Sequence, residues 1–393
     1  MPRLSREGGN PTLAIESGAG YEFLMSLATI SELDNHSIAE VGPQWLAATR
    51  ERAGEGLMKR LEQFTQGNGD FFVHLVPLAY DAPERTVAAL LTHLATVDAR
   101  DMLLLIVGYH DYHMRRTTRP ETLRAAVEGN AAAAREVVSS CESYPDWQAF
   151  LEHLFARRPE QVKQELLELL DAWNKRVWQP EERRILPIVQ RDAEAKRALA
   201  LDLPFDRFVE VATNGVHFVP HAGVDRLVLV PSWVNRPWVS YAEYGGAMFL
   251  VYPVADESLS AEDDAPPLRL VRLTKALGDE KRLRILRVLT QGPRSLVELA
   301  ELLEVPKTTM HHHMVTLRSA GLVSVGAGAK EYRLRADVLP NLAQMLGGYL
   351  NQDAGRGEES RAGDEDQSRE PGNRRLRRPG QLATIGSRRR AEG

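Results

Sequence analysis

Apolar residues recur at helical spacing through the first half of the chain. Leu57, Leu61 and Phe64 fall three and four positions apart, as do Val162, Leu166, Leu167, Leu169 and Leu170. A stripe of this kind is what a helix buries against a core. Pro159 followed by Glu160 suits a first helical turn, where a missing N–H costs little. These patterns predict a mostly helical region from 21 to about 201. Between 204 and 254 the pattern changes. Residues 216–219, 226–230 and 248–252 are short β-branched or aromatic runs, separated by turn-rich stretches such as His221-Ala222-Gly223 and Tyr244-Gly245-Gly246. They predict a small antiparallel sheet of about three strands closing the helical region.

From 268 onward a compact run can be followed residue by residue. Apolar residues at 268, 270, 271, 273 and 277 predict a first helix that Gly278 stops. Asp279 is a good N-cap for a second helix, 280–289, with Leu283, Ile285, Leu286 and Leu289 facing inward. Gly292-Pro293 ends it. Ser295 with Glu298 forms a capping box that opens a third helix through Leu302. Glu304-Val305-Pro306 turns the chain into a fourth helix from Lys307 to about Ala320, and Gly321 sits where a C′ glycine ends it. Residues 322–325, 326–329 and 330–334 then read as strand, glycine-rich loop and strand. Helix, helix, short turn, helix and hairpin is the order of a winged helix-turn-helix.

The two patterned regions are flanked by segments of different composition. Residues 1–20 are rich in Gly and polar residues and are expected to form a flexible arm. Residues 255–267 are acidic, lack aromatics and end in two prolines, which suits an exposed linker. Residues 351–393 also lack aromatics and are dense in Arg, Glu, Gly and Ser, so an unfolded Arg-rich tail is expected there. The expected fold is α+β and mainly helical. A large helical domain over 21–254, for sensing or dimerisation, precedes a winged helix-turn-helix over 268–350.

Charge sharpens this division. The whole chain has 49 Lys+Arg against 54 Asp+Glu, a net −5, which argues against nucleic acid. Residues 268–350, however, hold 13 against 7, a net +6, and 351–393 hold 10 against 8, a net +2. Residues 1–267 hold 26 against 39, a net −13. A basic module on an acidic body points to nucleic acid or an anionic surface, although charge also fluctuates between segments by chance. Cys141 is the single cysteine, so no internal disulfide or thiolate cluster is available, and it reads as a small buried hydrophobe. Apolar runs such as 102–107 fall far short of the roughly 20 residues of a membrane helix. The N-terminus lacks the apolar segment of a secretory signal. A soluble, cytoplasmic protein with no membrane partner is expected.

The fourth helix carries the candidate chemistry. Met310, Met314 and Leu317 lie at i, i+4 and i+7 and seat one face on the small core. The opposite side and its edges present Thr308, Thr309, His311, His312 and Val315, with Lys307 and Arg318 near the ends. Short hydroxyls approach phosphates and base edges closely, and Lys and Arg displace counterions. Lys330, in the glycine-rich hairpin, is placed to follow the backbone beside the groove. The expected DNA contacts are therefore Lys307, Thr308, Thr309, His311, His312, Arg318 and Lys330.

Residues 268–340 resemble the DNA-binding domain of the ArsR-type winged-helix repressors. The stretch 273–286, LTKALGDEKRLRIL, resembles the family's opening helices. The stretches 305–314, VPKTTMHHHM, and 317–323, LRSAGLV, resemble its recognition helix and entry to the wing. The resemblance implies a recognition helix in the major groove and a homodimer on a partly palindromic double-stranded operator. Dimerisation would use the first helix and Val338, Leu339, Leu342, Met345, Leu346 and Leu350. Two departures are visible. Pro306 stands where the family has a small polar capping residue. The family's metal sensors use a Cys-x-Cys pair in the third helix or His and acidic ligands near the last one. Here the third helix reads SLVELAELL and 335–350 has no histidine, so no metal and no cofactor is carried over. Residues 21–254 resemble poorly characterised N-terminal domains fused to such modules in some actinobacterial regulators.

Other residues invite a function and have a plainer reading. His311-His312-His313 diverge by about 100° each around a helix and do not converge on one ion. His110 with His113 and His217 with His221 supply two ligands apiece, too few for a closed zinc site unless all four meet. Trp233, Trp238, Tyr241 and Tyr244, beside Arg236, form a ligand pocket or partner surface, or else pack the sheet; Trp173 and Trp178 read as core. The chain has no G-x-S-x-G, P-loop, dinucleotide fingerprint or H-E-x-x-H. The expected function is a DNA-binding transcriptional regulator, a repressor without enzymatic activity, modulated by a small-molecule effector or partner through 21–254. The alternative is an enzymatic or ligand-processing domain coupled to a DNA-binding module.

Overall fold

Each helix of the body buries the stripe its sequence marks. In the computed structural model, strand β1 (Thr12–Ile15) leads into α1 (Ala19–Ser31), every residue of which is buried. A helix without a solvent face belongs at the centre of a core. Around it stand α2 (Gly42–Thr65), a series of short helices between 70 and 155, α3 (Pro159–Trp173) and α4 (Gln179–Asp202). Leu57, Leu61 and Phe64 of α2 and Val162, Leu166, Leu169 and Leu170 of α3 lie in this core, as does Cys141. Trp173 and Trp178 are enclosed there too, and the Trp173 Nε1–H donates to Ser26 Oγ of α1 at 2.9 Å.

After α5 (Phe205–Ala212) the chain forms β2 (Val216–Phe218), β3 (Arg226–Ser232), β4 (Ser240–Tyr244) and β5 (Ala247–Pro253). The sheet of the body has the order β1-β3-β5-β4. It corrects the expectation of an antiparallel sheet. β1 runs parallel to β3 and β3 parallel to β5, and only β4 is antiparallel to β5. From Leu227 to Ser232 and from Ala247 to Tyr252, β3 and β5 are buried without alternation, which is the pattern of central parallel strands covered on both faces. The arm expected over 1–20 also needs correction. Thr12–Ile15 is an edge strand of this sheet, in register with 226–229, and α1 begins at Ala19.

Residues 268–334 follow their local signals closely. They form α6 (Leu268–Leu277), α7 (Glu280–Leu289), β6 (Arg294–Ser295), α8 (Leu296–Leu302), α9 (Lys307–Ser319), β7 (Val323–Ala327) and β8 (Glu331–Leu334). Asp279 Oδ1 accepts from the Arg282 N–H at 2.9 Å, capping α7. Ser295 and Glu298 exchange both bonds of the capping box. Gly321 takes φ 72°, the left-handed conformation that ends α9 and that a side chain resists. Ile285, Leu286 and Leu289 turn inward as expected; Leu283 does not and is 48% exposed.

The second sheet has the order β2-β7-β8-β6. β2, which precedes the acidic stretch 255–267, pairs parallel to β7 with Val216 opposite Val325. A strand from the body thus completes the sheet of the helix-turn-helix region.

The structure describes residues 10–32, 39–141, 145–218, 223–259, 268–327 and 331–335, and beyond them 338, 342–343, 345–347 and 349–350. Lys330, the greater part of the acidic stretch and the Arg-rich tail lie outside the described residues. The chain divides into two units: Met1–Ala343, which holds body and helix-turn-helix alike, and Gln344–Gly393.

Candidate nucleic-acid interface

Helix α9 has three distinguishable faces. Met310, Met314 and Leu317 are buried and form the core face expected from their spacing. Thr308, Thr309 and His312 occupy an open face, exposed or half-exposed to solvent. Lys307, His311, Val315 and Arg318, spaced four, four and three, form a third stripe between these two. Its N-terminal end is open, since Lys307 and His311 are exposed. Its C-terminal end is closed: Val315 is 5% and Arg318 7% exposed.

Arg318 therefore corrects the expectation of a DNA contact. Its Nη2–H donates to the carbonyl of Pro237 in the body at 3.1 Å, and burial lowers its pKa. Val315, expected to point outward, is covered as well. Among the other expected contacts, Lys307, Thr308, Thr309 and His312 are brought together on the accessible surface of α9. His311 is exposed as a residue, yet desolvation holds its imidazole below the ordinary histidine range. His312 and Arg318 add to that shift, and Asp70 of the body opposes it. His313 stands apart from this face, with Nδ1 4.0 Å from Asp279 Oδ1.

The start of α9 is chemically suited to anions. Pro306 occupies the N-cap and offers no side-chain acceptor, so the first N–H groups of the helix lack a side-chain cap. Free N–H groups and the positive end of the helix dipole attract phosphate. Lys307 stands at the same end. Lys281, Arg284 and Arg287 are exposed on α7 and carry much of the basic charge of this region.

The rear of the module is fastened to the body by polar groups, of which the sequence pointed only to His217 and Arg236, and in other roles. Asn214 Nδ2 donates to the carbonyls of Arg318 at 3.3 Å and Ser319 at 3.1 Å, covering the C-terminal end of α9. Arg335 pairs with Glu210 of α5 at 3.3 Å, and His217 bonds Ser324 Oγ at 3.0 Å. Arg272 of α6 reaches Glu40 at 2.5 Å and Asp256 at 2.8 Å, the two carboxylates that also bind buried Arg236. Burial pushes the Asp256 carboxyl up to about 6, against the pull of Arg236. The apolar Val315 on the outward side of a short helix was the available sequence signal for a covered face.

The loop that meets Arg318 is itself held from within. Glu22 of α1 is buried and accepts from Ser232 Oγ at 3.1 Å and from the backbone N–H groups of Trp233 and Val234. Burial pushes its carboxyl up to about 7 despite these bonds. Arg236 donates to the Val254 carbonyl, tying the loop to the end of β5. The aromatic group expected there as a pocket or as packing is dispersed. Trp233 packs edge-on against Trp45 with Arg184 above it, whereas Tyr244 packs against His110.

Of the candidate histidine pairs, only one member each is fully described. His217 is bound to Ser324 and His110 packs between Tyr109 and Tyr244, while the His113 side chain and His221 lie outside the described residues. Among the described residues no group of three or more His, Cys, Asp or Glu side chains is placed to hold a metal ion. No helix among them is long and apolar enough to cross a membrane.

Comparison with known proteins agrees with the local reading. A family described as a helix-turn-helix domain matches residues 277–326, about an eighth of the chain. This span runs from the end of α6 to β7 and includes the whole of α9. No curated protein and no solved structure matches the chain. Residues 277–326 are thus a helix-turn-helix domain, the kind of module with which transcription regulators bind DNA.

Proposed function

We propose that the protein is a transcriptional repressor of the ArsR-like winged-helix kind, cytoplasmic and without catalytic activity of its own. It binds operator DNA as a homodimer, and its body receives an effector. The observation that carries this reading is α9: a helix seated by Met310, Met314 and Leu317 and followed by a hairpin. It presents Thr308, Thr309 and His312 beside an N-terminus with no side-chain cap. In the DNA-bound form Lys307 and the first N–H groups of α9 take a phosphate, and Thr309 and His312 face base edges. The effector acts by binding more tightly to one of two arrangements of body and module, since only differential affinity shifts such an equilibrium.

The test is binding to a duplex carrying the promoter of its own gene. Affinity falls steeply between low and physiological salt, because phosphate contacts release counterions. Lys307→Ala weakens binding to all sequences alike. Thr309→Ala and His312→Ala relax discrimination by about 1–3 kcal/mol at the base pair each reads. Unchanged affinity and specificity in all three variants removes α9 as the reading element.

A further inference from the structure

The recognition helix is covered along part of the side that a DNA groove would have to accept. Val315, about 130° around α9 from the centre of its core face, is nearly closed off from solvent. Arg318, on the same stripe, is closed over by loop 233–238 through the Pro237 carbonyl, and the chain end of α9 is held by Asn214. A helix with its side chains is about 10–12 Å across and the major groove about 12 Å wide. A second layer of protein on the flank of α9 cannot enter with it. That layer also belongs to the part of the chain with net charge −13, which phosphate repels.

We propose that the body is an autoinhibitory partner of the recognition helix. Loop 233–238 and β2 latch α9 in a closed state, and deep entry into DNA requires the module to part from the body along the β2–β7 seam. This rests on the DNA-binding reading given above. The latch is made of a three-residue strand pairing, the packing of Val325 against the cluster of Val216 and Phe218, the Asn214 and Pro237 contacts to α9, His217 with Ser324, and the ion pairs of Arg335 and Arg272. Hydrogen bonds and partly exposed ion pairs contribute little each, because water replaces them when they open. Glu22 sets the latch by holding the backbone of the same loop from the core side.

The full chain can be locked and loosened at this seam. Val216 and Val325 are direct partners on neighbouring strands, whose spacing of about 4.8 Å is within the range a disulfide bridges. Val216→Cys with Val325→Cys, in a Cys141→Ala background, closes the seam on oxidation. Asn214→Gly accepts the same φ of 54° while removing the side chain that holds α9. On the promoter duplex the oxidised pair binds at least tenfold more weakly than the same protein after reduction, and Asn214→Gly binds at least threefold tighter than the wild type. Equal affinity of the oxidised and reduced forms, or no gain in Asn214→Gly, overturns the closed state. Failure of the wild type, the reduced pair and Asn214→Gly alike to bind the duplex at low salt overturns the DNA-binding reading itself, and the latch with it.

Discussion

The body and the helix-turn-helix region use polar residues in opposite ways. The body turns several of them inward. Glu22 holds a loop, and Asp192 accepts from Tyr252 Oη, Ser258 Oγ and the Ala255 N–H at 2.7–2.9 Å. Arg236 is spent on Val254, Glu40 and Asp256. The helix-turn-helix region keeps Thr308, Thr309 and Lys307 at the surface and uses Asp279, Ser295 and Glu298 to start helices. The first arrangement makes a rigid support, because a buried polar group is costly unless its partners stay in place. The second leaves donors and acceptors free for another molecule. The two meet at α9, where the outward-directed Arg318 has been drawn into the inward-directed network.

Removing a keystone of the body tests whether the two regions stand or fall together. Trp173→Ala, at a fully buried ring, lowers stability by about 3–5 kcal/mol. Because β2 lies in the sheet of the module, urea unfolding followed by hydrogen exchange shows α9 amides losing protection together with those of α1. An α9 transition that stays in place separates the regions and breaks the comparison.

The inward use of charge leaves a pH signature. Glu22 has a folded-state pKa of about 7, above its unfolded value of about 4.5, so folding takes up a proton between these values. The stability this confers is present below about pH 4.5 and is lost as pH rises through about 7. Glu22→Gln does not titrate. The stability of Glu22→Gln relative to wild type is therefore greater at pH 8 than at pH 5, by up to about 3 kcal/mol. Denaturant melts at the two pH values measure it, and a difference independent of pH means that Glu22 stays ionised in the core.

The outward region is expected to respond locally and weakly. Asp279→Ala removes the α7 cap and costs about 1 kcal/mol, read as a lower melting temperature. A loss of several kcal/mol would show that Asp279 acts through His313 and the module's packing rather than as a cap alone.

How much of this was legible along the chain follows from the range of each signal. Asp279, the Ser295–Glu298 box and Gly321 act on backbone groups within four residues, and all three mark the ends that the structure shows. The exposed Thr308, Thr309 and His312 followed from the spacing of Met310, Met314 and Leu317. The sheet of the body was harder. Its parallel pairs join β1 to β3 across more than 200 residues and β3 to β5 past an intervening strand, and short apolar runs do not state their partners. Arg318 was read as a surface cation because nothing in its neighbourhood along the chain marks the partner that buries it; the acceptor, the Pro237 carbonyl, is 81 residues away.

By itself, then, the sequence determined the capped helices and hairpin of the DNA-binding module, the buried stripes of the body, and a basic segment set against an acidic one. Helical periodicity, capping chemistry and charge are local or additive properties, and they survive without knowledge of contacts. Only the tertiary structure decided that β2 belongs to the module's sheet, that Glu22 holds the loop under Arg318, and that one stripe of α9 is closed off from solvent at its C-terminal end. Those are choices among distant partners, made by which surfaces can be buried together with their polar groups satisfied.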